Sequence, residues 1–269
     1  MQAGYLAALA AALLLTACAG TPQQRPGDGV DVGEASSLRT LIPAAELEKA
    51  ASLQYGQLKR AAADKNLLAP DNHPQVIRLR SIAKHILPNA ARFNPEAKNW
   101  QWEVNLIISK QLNAFCMPGG KIAFYSGIID NLTLSDDEIA IVMGHEIAHA
   151  LREHAREQMA KNKLTQTGAA ILGALVGGGE LFRLGGNLMT LKFSRDDESE
   201  ADLVGLDLAA RAGYDPRAGI TLWQKMDAAG NGAPPAWLST HPGGEARIAE
   251  IERNLPAVMP LYEAARKPR

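Results

Sequence analysis

The stretch from Ile139 to Leu151 is apolar on almost every side of a helix, yet it carries His145, Glu146 and His149 in its middle. A helix that is apolar all round is a buried one. Two imidazoles and a carboxylate inside it are costly unless they are paired or coordinated, so the fold must bring other polar groups onto this helix. Residues four apart share a helix face, one turn above the other, and His145 and His149 can therefore reach one ion together. Glu146 points to the side of that face, where it can take a proton from an attacking water instead of binding the ion. On a solvated helix the same three residues would be surface groups. The buried setting gives the HExxH spacing its meaning.

Ser135-Asp136-Asp137-Glu138 forms a capping box with acids at the positive end of the dipole, which predicts a helix from about Asp136. The pattern turns polar from Arg152 to Lys163. If the helix continues, His154 faces about 180° from His145 and is expected at the surface, not among the ligands.

A catalytic zinc takes three protein ligands and leaves a fourth position for water, so a third donor must come from another segment. Ser194-Arg195-Asp196-Asp197-Glu198-Ser199-Glu200-Ala201-Asp202 reads as a second helix start, with Ser194 as cap and Leu203, Val204, Leu206 and Leu208 following. An acidic helix start explains itself without a metal, but after an HExxH segment Glu198 becomes the best third donor. Asp202 shares its face and is placed to hydrogen-bond a ligand or a catalytic group. Glu200 lies about 200° from Glu198 and is expected to point away.

His145-Glu146-Ile147-Ala148-His149, then the SRDDESEAD segment, then Ser239-Thr240-His241-Pro242 with Arg247 together resemble peptidase family M48, the zinc metallopeptidases of the HtpX and CAAX prenyl protease type. Among its branches the chain is most similar to the small bacterial periplasmic lipoproteins, from about Leu41 onward. The resemblance implies an α+β, zincin-like metallopeptidase fold, mostly helical, with a small antiparallel sheet before the HExxH helix. It implies one zinc ion per chain bound by His145, His149 and Glu198, with Glu146 as general base and Asp202 supporting a ligand or donating a proton. His241 is implied either to approach the metal and control access or to stabilise the transition state, and both remain open. The implied substrate edge runs through Asn113, Ala114 and Phe115.

Read from the residues, His241 lies in the Pro- and Gly-rich stretch Thr240-His241-Pro242-Gly243-Gly244 before a helix from Glu245 to Asn254. Loops of this kind carry functional groups more often than regular elements do. Arg247, on that helix, can donate to a carboxylate or to a peptide carbonyl of a substrate.

Upstream, helices are expected over Leu41 to Ala63 and Gln75 to Ile86, and a strand over Trp100 to Ser109. Leu112 to Cys116, the Pro118-Gly119-Gly120 turn and Lys121 to Tyr125 make a hairpin, whose edge could take an extended substrate. Thr167 to Phe193 mixes glycines with apolar residues, interrupted by Glu180 and Arg183. Its fully apolar part is too short for a membrane span, and the stretch is expected to form a mobile cover beside the site.

Leu6 to Ala17 ends in Leu15-Thr16-Ala17-Cys18, a short secretion-type run that resembles a bacterial lipobox. The resemblance implies a lipid on Cys18 and, with Ala19 next, a place on the periplasmic side of the outer membrane. Residues 19–40 are expected to be a flexible tether and 41–269 the peptidase domain. Cys116 is then the remaining thiol, expected as a small buried residue without a disulfide. A net charge of −1 argues against a nucleic-acid partner.

Envelope protein quality control, with unfolded or misassembled proteins as substrates, follows by family analogy. A competing expectation is a zinc-bound lipoprotein that binds outer-membrane proteins without cutting them, its site closed by His241 as fourth ligand. A third is hydrolysis of a non-peptide amide. The oligomeric state stays open.

Overall fold

The computed structural model describes residues 29–170, 188, 191–229, 236–241 and 245–267. Cys18 and the run before it lie outside the described residues, as do most of the glycine-rich stretch and Pro242 to Gly244.

The described chain is mostly helical. After a short 3-10 turn, Ser37–Leu41, come α1 (Ala44–Asp64) and α2 (Pro74–Ile86). Pro43 caps α1, so the expected single helix from Leu41 is divided at that proline. Strands β1 (Glu103–Ile107), β2 (Ala114–Met117) and β3 (Lys121–Tyr125) follow, then α3 (Ser126–Asn131), α4 (Asp136–Leu151) and α5 (His154–Ala170). Beyond the glycine-rich stretch lie α6 (Arg195–Arg211), α7 (Ala218–Ala229), the short α8 (Ala236–Thr240) and α9 (Glu245–Ala265).

The hairpin β2–β3 is antiparallel, as its turn predicts, with Ala114 opposite Phe124. The sheet as a whole is mixed, not antiparallel. Its order is β1-β3-β2, with β1 parallel to β3 and Glu103 opposite Lys121. The hairpin inserts β3 between the two earlier strands, a step that alternation along each strand cannot reveal.

The capping box forms at α4: Ser135 Oγ accepts from Glu138 N, and Glu138 Oε2 accepts from Ser135 N at 2.8 Å. α4 runs through the main core, and every residue from Glu138 to Leu151 is buried. α6 packs along it at a pair of glycines. A methyl group on Gly144 would lie 2.7 Å from the Gly205 carbonyl oxygen, and one on Gly205 would lie 2.7 Å from His145 N. The two backbones therefore touch where the site begins.

Residues 29–33 pack on the domain as well. Val30 is buried and its N–H donates to Asp207, while Gly33 O accepts from Arg152. Residues 29–33 of the segment expected as a tether are thus packed on the domain. Cys116 is a free, half-buried thiol, and burial pushes its pKa up. No helix of the described residues is long and apolar enough to cross a membrane.

Candidate metal centre

α4 presents His145 and His149 one turn apart, and the Gly144–Gly205 contact brings the first two turns of α6 against them. Ser194 Oγ caps α6 by accepting from Asp197 N, which starts the helix where Glu198 and Asp202 face α4. His241 follows α8 directly. All four of His145, His149, Glu198 and His241 are buried, and each offers a donor atom within 4.8 Å of the others.

The separations fit a tetrahedral ion. Zinc bonds of about 2.0–2.1 Å place tetrahedral ligand atoms about 3.3 Å apart. His145 Nε2 lies 3.0 Å from His149 Nε2 and 3.5 Å from Glu198 Oε2. His149 Nε2 lies 3.4 Å from Glu198 Oε1. His241 Nδ1 lies 3.2 Å from His145 Nε2 and 2.9 Å from Glu198 Oε1. The charges point the same way. Glu146, Glu198 and Asp202 are buried with the single guanidinium of Arg247, and this excess of buried carboxyl groups favours a cation among the donors.

The His149 imidazole is prepared for that role. Burial, opposed by Glu198, holds His149 well below its ordinary pKa, so the ring is neutral. Burial alone would raise the Glu198 carboxyl, but hydrogen bonds with His149 and His241 and the nearby imidazole charges hold it far below the carboxylate range. Burial likewise opposes Asp202, which Arg247 and the His145 hydrogen bond keep ionised. For His241, burial lowers the pKa but Glu146 and Glu198 outweigh it, and the shift is upward.

Asp202 sits where the helix face predicts. Its Oδ1 lies 3.0 Å from His145 Nδ1, so that nitrogen carries the hydrogen and Nε2 is left free for an ion. Arg247 makes the carboxylate contacts. It is buried behind the donors, with Nη1 donating to Glu198 Oε2 at 2.7 Å and Nε to Asp202 Oδ2 at 2.6 Å, and it stacks 3.9 Å over the Trp223 ring.

Sequence reasoning did not single out Trp237. Its Nε1 donates to Glu146 Oε1 at 2.6 Å, its ring tilts against Trp223 and His241, and its backbone N–H donates to Leu112 O. A tryptophan between prolines and a histidine carries no spacing signal that would have found it. His154, expected at the surface, is instead 1% exposed and contacts His149. Glu200 does point away from the ion group, toward His154 and Arg152.

A cavity of about 50 Å³ opens beside Glu146 and His149, lined on one side by Asn113, Ala114 and Phe115 of the β2 strand and its approach. Tyr125 N donates to Asn113 O, so odd-numbered residues of this strand face β3 and Leu112, Ala114 and Cys116 turn their peptide groups to the outer edge.

The comparisons agree with this geometry. A mitochondrial metalloendopeptidase OMA1 of Arabidopsis thaliana is 39% identical over 146 residues, 54% of this chain and 30% of the relative. Metalloprotease LoiP of Escherichia coli K12 is 28% identical over 265 residues, 94% of this chain and 96% of its own. The beta-barrel assembly-enhancing protease of Escherichia coli O157:H7 is 31% identical over 170 residues, 58% of this chain and 35% of the relative. The chain thus spans about a third of the first and last and nearly all of LoiP. The sequence model of Peptidase family M48 matches residues 76–255. That span begins in α2 and carries the whole donor group, with Glu146 and Asp202 beside it, and the chain belongs to peptidase family M48.

Proposed function

We propose that the protein is a zinc-dependent endopeptidase of the bacterial cell envelope that hydrolyses unfolded or misassembled envelope proteins. The observation that carries the activity is Glu146, a carboxylate on the same helix as His145 and His149, beside the donor group and the cavity.

Zinc held by His145, His149 and Glu198 would polarise the scissile carbonyl and make water acidic enough to attack near neutral pH. Glu146 takes the proton from the attacking water and returns it to the leaving amine. Asp202 holds His145 in the ligating tautomer, and Arg247 keeps Asp202 ionised and holds Glu198 in place. The outward peptide groups of Ala114 and Cys116 bind an extended substrate by strand addition, which demands little of its sequence. His241 serves either to stabilise the developing oxyanion or to restrain the site.

The location rests on Leu15-Thr16-Ala17-Cys18, read as a lipobox with Cys18 acylated. The name of one of the relatives links it to β-barrel assembly, and we extend that connection to this chain on the periplasmic side of the outer membrane.

The test is casein degradation by the zinc-loaded protein beside Glu146→Gln. Cleavage by the wild type that is lost in Glu146→Gln supports the proposal, whereas equal cleavage by both overturns it. The position of His241 Nδ1 within the donor group favours a second reading, a restrained zinc protein that binds envelope proteins without cutting. Absence of cleavage in both wild type and His241→Ala, with zinc bound, would support that reading.

A further inference from the structure

A polar chain lies behind His149 that the donor group does not include. α4 ends at Leu151 with Arg152 as its cap, Glu153 takes a left-handed backbone conformation at φ 60°, and α5 begins at His154. This corner folds His154 back onto α4, where a continuous helix would have pointed it the opposite way. Its Nδ1 lies 2.9 Å from His149 Nδ1, and its Nε2 lies 2.7 Å from Glu200 Oε2. Glu200 is in turn fixed by an ion pair with Arg152, whose guanidinium also donates to Gly33 O. Phe193 stacks on the face of His149 at 4.1 Å between ring centres.

The hydrogens of this chain follow from its end. A carboxylate accepts and does not donate, so the hydrogen between Glu200 and His154 sits on Nε2 of the histidine. With that hydrogen on Nε2, Nδ1 is the ring nitrogen of His154 placed to accept. The contact between two Nδ1 atoms holds a single hydrogen, which must therefore belong to His149. With Nδ1 protonated, His149 turns a free lone pair at Nε2 toward His145 and Glu198, the form an ion requires. His145 reaches the same state through Asp202. The two HExxH histidines are thus oriented by different partners, one by a carboxylate directly and one by a carboxylate acting through a second imidazole.

We propose that His154, held by Glu200, is a positioning residue that fixes the tautomer and ring angle of His149 and thereby sets the zinc affinity of the site. The proposal rests on the zinc-site reading above and assigns no ligand role to His154.

The experiment is zinc affinity of the full chain by chelator competition, with the visible absorption of the cobalt-substituted protein as a second readout. Variants are His154→Phe, His154→Asn, Glu200→Ala and His145→Ala. Phenylalanine fills the volume but leaves His149 Nδ1–H without an acceptor. Asparagine offers an oxygen near the place of Nδ1.

The expected result is a loss of zinc affinity of about 10- to 100-fold in His154→Phe, recovery of most of it in His154→Asn, and an altered cobalt spectrum in the former. A structural role alone would not separate the two variants in this way. Glu200→Ala, at a partly exposed position, decides the question if the phenylalanine variant does not fold, and a reduced affinity is expected there. Wild-type affinity and spectrum in both His154→Phe and Glu200→Ala overturn the proposal while leaving the zinc site intact. Undiminished binding in His145→Ala would instead sink the zinc-site reading itself.

Discussion

Trp237 Nε1 donates a 2.6 Å hydrogen bond to Glu146 Oε1, so the carboxylate placed to accept a proton is held by the same short element that delivers His241. The backbone N–H of Trp237 also takes the Leu112 carbonyl, which lies in the outward row where an extended substrate would pair. One five-residue helix therefore engages the base, the donor group and the sheet edge at once.

Trp237→Phe keeps the ring stack and removes the bond to Glu146. A hydrogen bond to a charged group contributes about 1.5–3 kcal/mol. If α8 restrains the site, casein cleavage by the zinc-loaded protein is expected to rise by up to about tenfold. A fall in kcat would mean that Trp237 orients the base.

Arg247 answers two buried carboxylates with one guanidinium, a geometry a lysine cannot reproduce. Removing one partner of a buried ionic group costs about 3–5 kcal/mol. Arg247→Ala is expected to show that loss in urea unfolding, and Arg247→Lys to recover little of it. A wild-type midpoint for the lysine variant would show that charge alone suffices.

Gly205→Ala drives a methyl group to 2.7 Å from His145 N. The expected cost is about 1–3 kcal/mol, together with weaker zinc binding, because the helices must part at the ligands. Gly56→Ala in α1, where the new methyl group meets Arg60 Nη1 at 3.7 Å, is expected to stabilise by up to about 1 kcal/mol. Equal thermal shifts in the two variants would contradict this account of the close contact.

Ala114→Pro deletes an outward N–H of β2 without touching the bonds to β3. The expected result is a KM raised by about two- to tenfold, the worth of one hydrogen bond, with kcat nearly unchanged. Unaltered kinetics would place the substrate on another edge.

Glu138 caps α4 and also meets Lys225 and Thr221. Burial opposes ionisation, but these partners hold its pKa below the ordinary value. Its contribution to stability is therefore present above the unfolded pKa of about 4.3 and lost as pH falls through the lower folded value. Between about pH 6 and about pH 3 the wild type should lose stability more steeply than Glu138→Gln. Parallel pH curves from urea titrations would show that the cap contributes no acid sensitivity.

The parts of this site legible in the sequence were those that a single helix defines. Four-residue spacing placed His145 with His149 and Glu198 with Asp202, and serine followed by acids located both helix starts. What escaped depended on backbone events between helices. The left-handed residue Glu153 reverses the direction of His154, and no local propensity marks a glutamate for that conformation. The parallel pairing of β1 depends on where the hairpin inserts, which side-chain alternation does not encode. Arg247 was read as a donor, but which acceptors it meets depends on how α9 crosses α6.

The bare contact of Gly144 with Gly205 divides the seam between α4 and α6 into two unlike halves, with the backbones touching where the halves meet. In the half that carries the donors, His145 faces Asp202, and His149 and Glu198 form a more distant rung, joined by a hydrogen bond. A divalent ion there works as a clasp. An ion held there would join the two helices at a point beyond the one where their backbones touch. A wedge between the glycines, which would meet backbone at 2.7 Å, therefore acts on the clasp from a distance.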